Sequence, residues 1–411
     1  MKKTALTTIF IVLCTVGTYG YDVCVDGLYY SLKDTSATVT YGDVRGRKDV
    51  NGVEYNMDKI AIPSQIVYEG KTYTITEIGD TAFCHTTGFS QISIPNTVVR
   101  IGKSAFQRIY NIKSIDIPSS VAEIGEYAFE GCKALEQVSL SENLTEIQPY
   151  TFCSDDNLKS IVIPPSVKKI GESAFGLCYG LDSISFSTGL EEIGKKAFTS
   201  CVALKEVNLP DGLNSIGMSA FFYNKSLTKL TIPSTVSLID YAAFSQCLEL
   251  ESVVLPDNLE ELKELTFGFC EKLKHVVLPT NLKRINDLVF NGCSLEELDI
   301  PGTVEYYGKQ SCLCDNLKIV NVYRPDPVEI SSDVFSVYNT LHVVKGSGTL
   351  YQAAANWNKF TIVEDLEPTG ISTVKAGAKA RAESWYDLQG RQVTRPEKGR
   401  IYIHDGRKVV K

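Results

Sequence analysis

The chain has 411 residues, of which 44% are hydrophobic and 22% are charged, and these fractions are ordinary for a globular protein. With 30 glycines and 15 prolines, the composition excludes a collagen-like fibre and a disordered chain. A formal net charge of −8 argues against a nucleic-acid-binding protein, because such proteins neutralise phosphates with lysine and arginine. The four histidines leave little material for a histidine-based metal or catalytic site.

Residues 1–20 have the pattern of a secretory signal peptide. Lys2 and Lys3 form its basic end, a mostly apolar run follows, and residues 18–20 offer small side chains before a cleavage point. The apolar run is too short to span a bilayer comfortably, and no longer apolar run follows it. A membrane anchor and a lipoprotein attached through Cys14 stay open as alternatives. We expect an exported protein without a transmembrane segment after signal removal.

Residues 21–75 predict a small N-terminal β cap. Apolar residues alternate or cluster in three short runs, at 27–30, 38–41 and 59–63, as expected of short strands. Residues 68–73 predict a hairpin turn between two further strands.

A 23-residue repeat dominates the middle of the chain. Most repeats carry Ala before a phenylalanine, Ile-Gly five residues before it and Leu six residues after it. A segment of the form apolar-x-apolar-Pro follows, and its alternation predicts one short strand per repeat. The phenylalanine recurs ten times without a slip, at Phe83, Phe106, Phe129, Phe152, Phe175, Phe198, Phe221, Phe244, Phe267 and Phe290.

One such unit cannot bury its apolar side alone, so consecutive units must stack. We therefore predict a mainly β repeat solenoid with short helical or 3-10 turns, in which about eleven coils over residues 76–325 form a parallel strand ladder. The pattern Ile-Pro-x-x-Val-x-x-Ile-Gly-x-x-Ala-Phe-x-x-Cys-x-x-Leu resembles the BspA-like branch of the leucine-rich repeats. This resemblance implies a right-handed leucine-rich-repeat-type stack.

The repeat degrades towards the C-terminus, as terminal capping units do. Cys312 takes the place of the phenylalanine in one unit, and Phe335 marks a further degenerate turn. Residues 326–365 are predicted to be a degenerate repeat and a C-terminal cap. Within them, residues 340–363 predict a strand, a short helix near 353–360 and a second strand.

Half of the twelve cysteines lie three residues after a repeat phenylalanine. Disulfides are usual in exported proteins, and a bridge between neighbours such as Cys247 and Cys270 stays open. The register favours buried thiols instead, because other repeats place threonine, isoleucine, aspartate or asparagine at the same position. The six cysteines are Cys132, Cys178, Cys201, Cys247, Cys270 and Cys293, and the four replacements are Thr86, Ile109, Asp155 and Asn224.

No catalytic, nucleotide-binding or metal motif stands out in the sequence. Cys84-His85 could form a thiol–imidazole pair, but the two residues are chain neighbours in the first repeat and are better interpreted as a surface loop. Asp155-Asp156 lacks the spaced oxygens of a calcium loop and predicts a solvated turn. We expect no enzymatic activity, no cofactor and no bound metal, although an unrecognised hydrolase stays open.

The residues that flank the buried position of each strand are expected to point outward and to form rows across the coils. Val254 and Val277 make a small apolar spot beside His275, and we predict that these three residues contact a ligand. Phe222-Tyr223 is a second candidate contact, since other repeats carry polar or small residues there. The alternative for the valines is a solvated sheet face, because single exposed apolar residues are common.

Residues 366–384 read as a linker, and residues 385–411 predict a C-terminal β-hairpin segment that is a candidate sorting signal. The stretch 370–411 carries ten basic and four acidic residues, whereas 21–369 carries 29 basic and 45 acidic residues. Tyr-Asp-Leu-Gln-Gly-Arg-Gln-Val at 386–393, followed by Pro, Lys-Gly and Gly-Arg-Lys-Val, resembles the C-terminal segments of proteins that use type IX secretion. A simple β cap is the alternative.

The two resemblances together imply a secreted or cell-surface protein on the outer-membrane exterior of a Gram-negative bacterium. They imply an adhesin-like binding protein, expected to be a monomer, that contacts host or microbial proteins and no nucleic acid. An exported carbohydrate-binding or scaffold module is the alternative. Because Trp357 and Trp385 both lie outside the repeats, where they provide no aromatic platform for sugars, protein partners are favoured over glycans.

Overall fold

The computed structural model describes residues 21–41 and 57–367, together with the backbone of four short strands between residues 385 and 410. The chain forms two compact units, of which unit 1 comprises residues 1–228 and 238–249 and unit 2 comprises 229–237 and 250–411. The predicted signal peptide lies outside the described residues. No helix in the described part of the chain is long and apolar enough to cross a membrane.

Unit 1 begins with a β cap that joins the repeats. Antiparallel hairpins are closed by Asp26-Gly27 and Glu69-Gly70, whose positive φ angles are those of two-residue hairpin turns. The predicted turn at 68–73 is confirmed. The last cap strand pairs in parallel with the first repeat, so the cap continues the ladder. The cap strands are Val23–Val25, Leu28–Lys33, Ser36–Thr40, Lys59–Ala61, Gln65–Tyr68 and Lys71–Ile78.

Each regular turn of unit 1 contributes two short strands, whereas the sequence predicted one. The second strand ends at the isoleucine of Ile-Gly, and an added Cβ at Gly125 or Gly194 would come within 2.6–2.7 Å of the backbone of the preceding turn. Glycine therefore permits the close approach that a second ladder needs. The three-residue strands are Gln91–Ser93, Ser114–Asp116, Gln137–Ser139, Ser160–Val162, Ser183–Ser185 and Glu206–Asn208. The two-residue strands are Arg100–Ile101, Glu123–Ile124, Glu146–Ile147, Lys169–Ile170, Glu192–Ile193, Ser215–Ile216 and Leu238–Ile239.

A column of phenylalanine rings forms the centre of unit 1. Within residues 83–244, successive rings stack at centroid distances of 5.1–5.4 Å with planes within 12° of parallel. These rings are at most 2% exposed. The strands bury their apolar middle residue beside the column, as Ile115 does, and expose its two neighbours. The constant sequence interval of the phenylalanines thus becomes one ring per turn.

Two residues of each turn adopt the left-handed backbone conformation, one two positions before and one two positions after the phenylalanine. Around Phe198 they are Lys196 (φ 56°) and Ser200 (φ 59°). This conformation directs every second N–H group towards the next turn, and the sequence did not predict it because glycine is rare at these positions. The N–H groups of Lys196, Phe198 and Ser200 each donate at 2.8 Å to a carbonyl of the next turn. The three acceptors are, in order, the carbonyls of Met218, Ala220 and Phe222.

Unit 2 repeats the same turn but loses its regularity. Phe267 and Phe290 stack at 6.1 Å, and Cys312 then takes the phenylalanine position, as predicted, and forms a parallel bridge with Phe335. The three-residue strands are Lys229–Thr231, Ser252–Val254 and His275–Val277, and the two-residue strands are Glu261–Leu262, Arg284–Ile285 and Tyr306–Tyr307.

A four-stranded parallel sheet, here called the C-terminal sheet, closes the described part of unit 2. The predicted strand–helix–strand order is confirmed, but the helix lies earlier than 353–360, because Ala354 is extended and Asn356 has a φ of 68°, which ends the helix. Trp357 is 1% exposed and packs in an aromatic cluster with Phe335 and Phe360. The elements are Glu297–Ile300, Ile319–Val322, Thr340–Val344, the α-helix Gly348–Ala353, the 3-10 helix Trp357–Lys359 and Thr361–Leu366.

The tail contains an antiparallel sheet of four short strands, which pair with one another. The β-solenoid with parallel ladders, almost no helix and this β segment confirms the predicted fold class. The domain boundaries stay predictions, and the linker lies largely outside the described residues. The tail strands are Trp385–Tyr386, Gln392–Val393, Ile401–His404 and Arg407–Val410.

Candidate functional site

The cysteine register forms an interior strip of thiols. None of the eleven cysteines in the described residues forms a disulfide. The strip thiols donate to the carbonyl of the phenylalanine 26 residues earlier, for example Cys132 to Phe106 at 3.1 Å and Cys178 to Phe152 at 3.0 Å. Asn224 makes the equivalent bond through its amide nitrogen at 3.0 Å. The structure therefore agrees with the interpretation that the strip fills space and satisfies backbone groups.

Burial disfavours the thiolate form of these cysteines. It raises the pKa values of Cys132 and Cys178 well above the ordinary value of a thiol, and at the phenylalanine position it raises the pKa of Cys312 to about 12. At Cys84 burial raises the pKa to about 11, while burial lowers the pKa of the neighbouring His85. Both shifts disfavour the charged forms that an activated thiolate–imidazolium pair requires, and the Cys84 thiol donates to Gln107 at 3.5 Å.

Asp155 does not lie in a solvated turn, and that prediction is wrong. Its side chain is 0% exposed, because the residue occupies the interior strip. One carboxyl oxygen accepts the Cys132 N–H at 2.8 Å. Asp156 does reach the surface, where it pairs with Lys133 at 3.3 Å.

In unit 2, Val254 and Val277 face each other on neighbouring parallel strands. Val254 is 63% exposed and Val277 is half-buried. His275 is exposed and lies opposite Ser252. The structure thus brings the three predicted contact residues onto one outward surface, which we call the valine face.

The valine face continues onto the C-terminal sheet of the same unit. The strand His275–Val277 lies beside Glu297–Ile300, and the next strands place Asn321 and His342 in the row that follows Asp299. The Asn321 amide donates to Glu297 at 2.8 Å and to Asp299 at 2.7 Å. A polar surface therefore adjoins the apolar one.

This polar surface carries uncompensated negative charge. Among the described residues, Glu297 and Asp299 pair with no lysine or arginine, whereas Glu296 pairs with Lys318 at 2.7 Å. Asp365 pairs with the imidazole of His342 at 2.8 Å. Burial raises the pKa of Asp299, and burial, followed by nearby carboxylates, raises the pKa of Tyr323. We call Glu297, Asp299 and Asp365 the acidic cluster, and such a surface suits a partner with basic groups.

The second predicted contact lies in unit 1. Tyr223 is 37% exposed with a φ of 58°, and Phe222 is half-buried with its ring centroid 6.3 Å from that of Tyr223. Tyr223 thus occupies one of the left-handed positions of the repeat, which orients it outward. Val162, also 63% exposed, holds in unit 1 the strand position that Val254 holds in unit 2, but Ser139 and Ser185 flank it in the row.

The family described as BspA type leucine rich repeat region (6 copies) matches residues 56–181, 145–270 and 237–356. The chain belongs to the BspA type leucine-rich repeat family. No curated protein matches the sequence.

Three solved structures are similar to this BspA type protein. A leucine rich cell surface protein from Faecalibacterium prausnitzii A2-165 has a TM-score of 0.51 and 23% identity, covering 85% of this chain and 95% of that chain. The pneumococcal vaccine antigen PcpA has a TM-score of 0.46 and 19% identity, with coverages of 86% and 100%. A leucine-rich repeat protein from Bacteroides ovatus ATCC 8483 has a TM-score of 0.38 and 21% identity, with coverages of 84% and 100%. At these identities the likeness concerns the fold alone.

In this BspA type protein, the rows of outward residues predicted from the sequence ended at His275 and Val277. The acidic cluster was therefore not predicted. A signal was present, because Leu298-Asp299-Ile300-Pro301 keeps the apolar-x-apolar-Pro form and places Asp299 in the row of the valines. No sequence pattern predicted that Asp365 would join this cluster, because Asp365 lies on a strand of the C-terminal cap, outside the repeat.

Proposed function

We propose that the protein is an exported, surface-exposed, adhesin-like binding protein that contacts host or microbial proteins and catalyses no reaction. The valine face beside the acidic cluster is its contact surface. The signal-like N-terminus and the type IX-like tail support delivery to the outer-membrane exterior of a Gram-negative bacterium. The similar Faecalibacterium protein is described as a cell surface protein, which supports a cell-surface location.

The contact surface of unit 2 carries this proposal. An apolar pair with one valine 63% exposed adjoins carboxylates that no described lysine or arginine neutralises. Apolar centres with charged rims are the usual composition of protein–protein contact surfaces. We therefore expect a protein partner that presents small apolar and basic side chains.

The choice between protein and sugar ligands depends partly on aromatic platforms. Trp357 is 1% exposed and belongs to the aromatic cluster of the cap, so it is unavailable to a sugar ring. The purified mature protein should therefore bind matrix or surface proteins, and not glycans, on an array that carries both. Binding to glycans alone would favour the carbohydrate-binding alternative and overturn the proposal.

The surface itself is tested by a matched pair of variants. Val254→Lys should lower the affinity for a basic protein ligand at least tenfold, because the variant places a positive charge in the contact. The ligand is one identified on the array. Val162→Lys should leave binding unchanged, since Val162 has the same exposure in unit 1. Equal binding by both variants and the unchanged protein would remove the valine face from the proposal.

A further inference from the structure

The interior strip of the repeats follows one hydrogen-bonding rule. The phenylalanine carbonyl of a turn accepts a bond from the strip residue 26 positions later, which supplies a thiol or an amide. One exception shows what the carbonyl requires. Phe83 already accepts the Thr86 hydroxyl at 2.7 Å, and the next strip residue, Ile109, has nothing to donate. A strip side chain thus donates to this carbonyl unless another side chain does. A backbone donor does not replace it, since Phe267 accepts both the Cys270 N–H at 3.2 Å and the Cys293 thiol at 3.2 Å.

Asp155 lies 26 residues after Phe129, so by register it occupies the position from which other strip residues donate to that carbonyl. Its Oδ1 accepts the Cys132 N–H at 2.8 Å, while its Oδ2 is buried and has no hydrogen-bond partner. An ionised carboxylate has no proton to donate. An ionised Asp155 would leave the Phe129 carbonyl with the Cys132 N–H at 3.2 Å but without the side-chain bond that the carbonyls of Phe106 and Phe152 receive.

The surroundings of Asp155 do not stabilise a negative charge. The facing groups are Glu130, Asp156 and the thiols of Cys132, Cys153 and Cys178. The nearby cations are engaged elsewhere, since Arg108 pairs with Glu130 at 3.5 Å and Lys133 pairs with Asp156 at 3.3 Å. Burial is the main cause that raises the pKa of Asp155 well above its ordinary value.

We propose that Asp155 is a neutral carboxylic acid in the folded protein, that it donates its proton to the Phe129 carbonyl, and that losing this proton to solvent opens this turn of unit 1. Asp155 is therefore a pH-sensitive switch inside a repeat. Because its pKa is raised on folding, its contribution to stability is complete below the pKa of the unfolded chain, about 3.9. That contribution falls as the pH rises through the pKa of the folded state.

The test compares the mature full-length protein with Asp155→Asn, which installs the amide donor already used at Asn224. Thermal unfolding is followed from about pH 4 to about pH 9. The difference in Tm between Asp155→Asn and the unchanged protein should grow by several degrees as the pH rises. Asp155→Cys, which copies the residue at Cys132, should behave like Asp155→Asn and replaces it if the amide variant folds poorly. Asp156→Asn, the control, should leave the pH dependence of the unchanged protein as it is.

A second readout observes the proton itself. The infrared carbonyl band of a protonated carboxylic acid should be present at neutral pH in the unchanged protein, present in Asp156→Asn and absent in Asp155→Asn. Hydrogen exchange at the Cys132 amide should accelerate at high pH beyond its intrinsic rise only where Asp155 is present. A Tm difference that is constant with pH, or an absent infrared band, would overturn the proposal.

Discussion

The two units differ in how regular their phenylalanine columns are. Within residues 83–244 of unit 1, eight rings stack at 5.1–5.4 Å, whereas the two rings of unit 2 lie 6.1 Å apart. Cys312 then replaces a ring, and Phe335 turns edge-on to Phe360 at an interplanar angle of 87°. Phe267 and Phe290 keep the 23-residue interval, so the sequence interval alone does not set the ring spacing, and the column ends at the next unit, where Cys312 follows Phe290 after 22 residues.

The outward surfaces of the two units also differ, and here the less regular unit carries the more distinctive surface. In unit 1 the strand residues beside Val162 are serines, and several ion pairs join neighbouring turns, such as Lys195 with Glu172 at 3.0 Å. In unit 2 the valine face adjoins carboxylates whose partner is an amide, Asn321. The regular unit therefore carries the ordinary surface, and the irregular unit carries the candidate contact.

The largest effect is expected from removing a ring of the column. Phe198→Ala should lower the free energy of unfolding by about 3–5 kcal/mol, because Phe198 is fully buried and stacks on both sides. Phe290→Ala should cost about 1 kcal/mol less, since Phe290 stacks only on Phe267 and the next position holds Cys312. Denaturant unfolding of both variants measures this. A melting curve unchanged by Phe198→Ala would contradict the stacked column.

An intermediate effect is expected at the left-handed positions, which both units share. Lys196→Gly should raise the free energy of unfolding by about 1 kcal/mol, because Lys196 is exposed and has a φ of 56°. Gly131→Ala is the matched reverse change at a φ of 73° and should lower it by about the same amount. Thermal unfolding of the two variants measures both shifts. Shifts of the same sign would show that backbone conformation does not decide these positions.

A small effect on stability is expected from the tail. Deleting residues 384–411 should change the Tm little, because the tail strands pair with one another. If the tail is a sorting signal, the same deletion should leave folded protein in the periplasm and remove it from the cell surface. Fractionation of cells carrying the truncated gene measures this. Normal surface display would refute the sorting role, and a large fall in Tm would favour a β cap.

The smallest effect is expected from a thiol reagent added to the folded protein. Nine of the eleven described cysteines are buried, so labelling should be confined to Cys24 and Cys84 at first. Cys293 should follow before Cys201, because it lines a depression of about 400 Å³ in unit 2 while Cys201 is 0% exposed. Denatured, unreduced protein should show most thiols free. Eight or more thiols locked in disulfides would contradict the buried strip.

The sequence predicted the repeated core positions, but it missed part of the backbone geometry of each turn and the features that lie outside the repeat. Ten phenylalanines at one interval were enough to predict the stack, and the residue types at the cysteine position indicated a buried strip. The second strand of each turn was missed, because a two-residue strand has no alternation to detect. Asp155 was misjudged as solvated, since its charge suggested water while its register placed it inside. The acidic cluster depends on Asp365, which only the folding of the cap brings to His342.

The interturn hydrogen bonds of unit 1 have a genetic consequence. They join equivalent backbone groups of successive turns and depend little on the side chains these turns carry, so neighbouring turns are nearly interchangeable. Unequal recombination between two repeats would add or remove a whole turn and would rejoin equivalent donors and acceptors. Free thiols impose no fixed pairing on such a change, as disulfides would. The number of turns is therefore a quantity that evolution can adjust one whole repeat at a time, with both ends of the chain kept as they are.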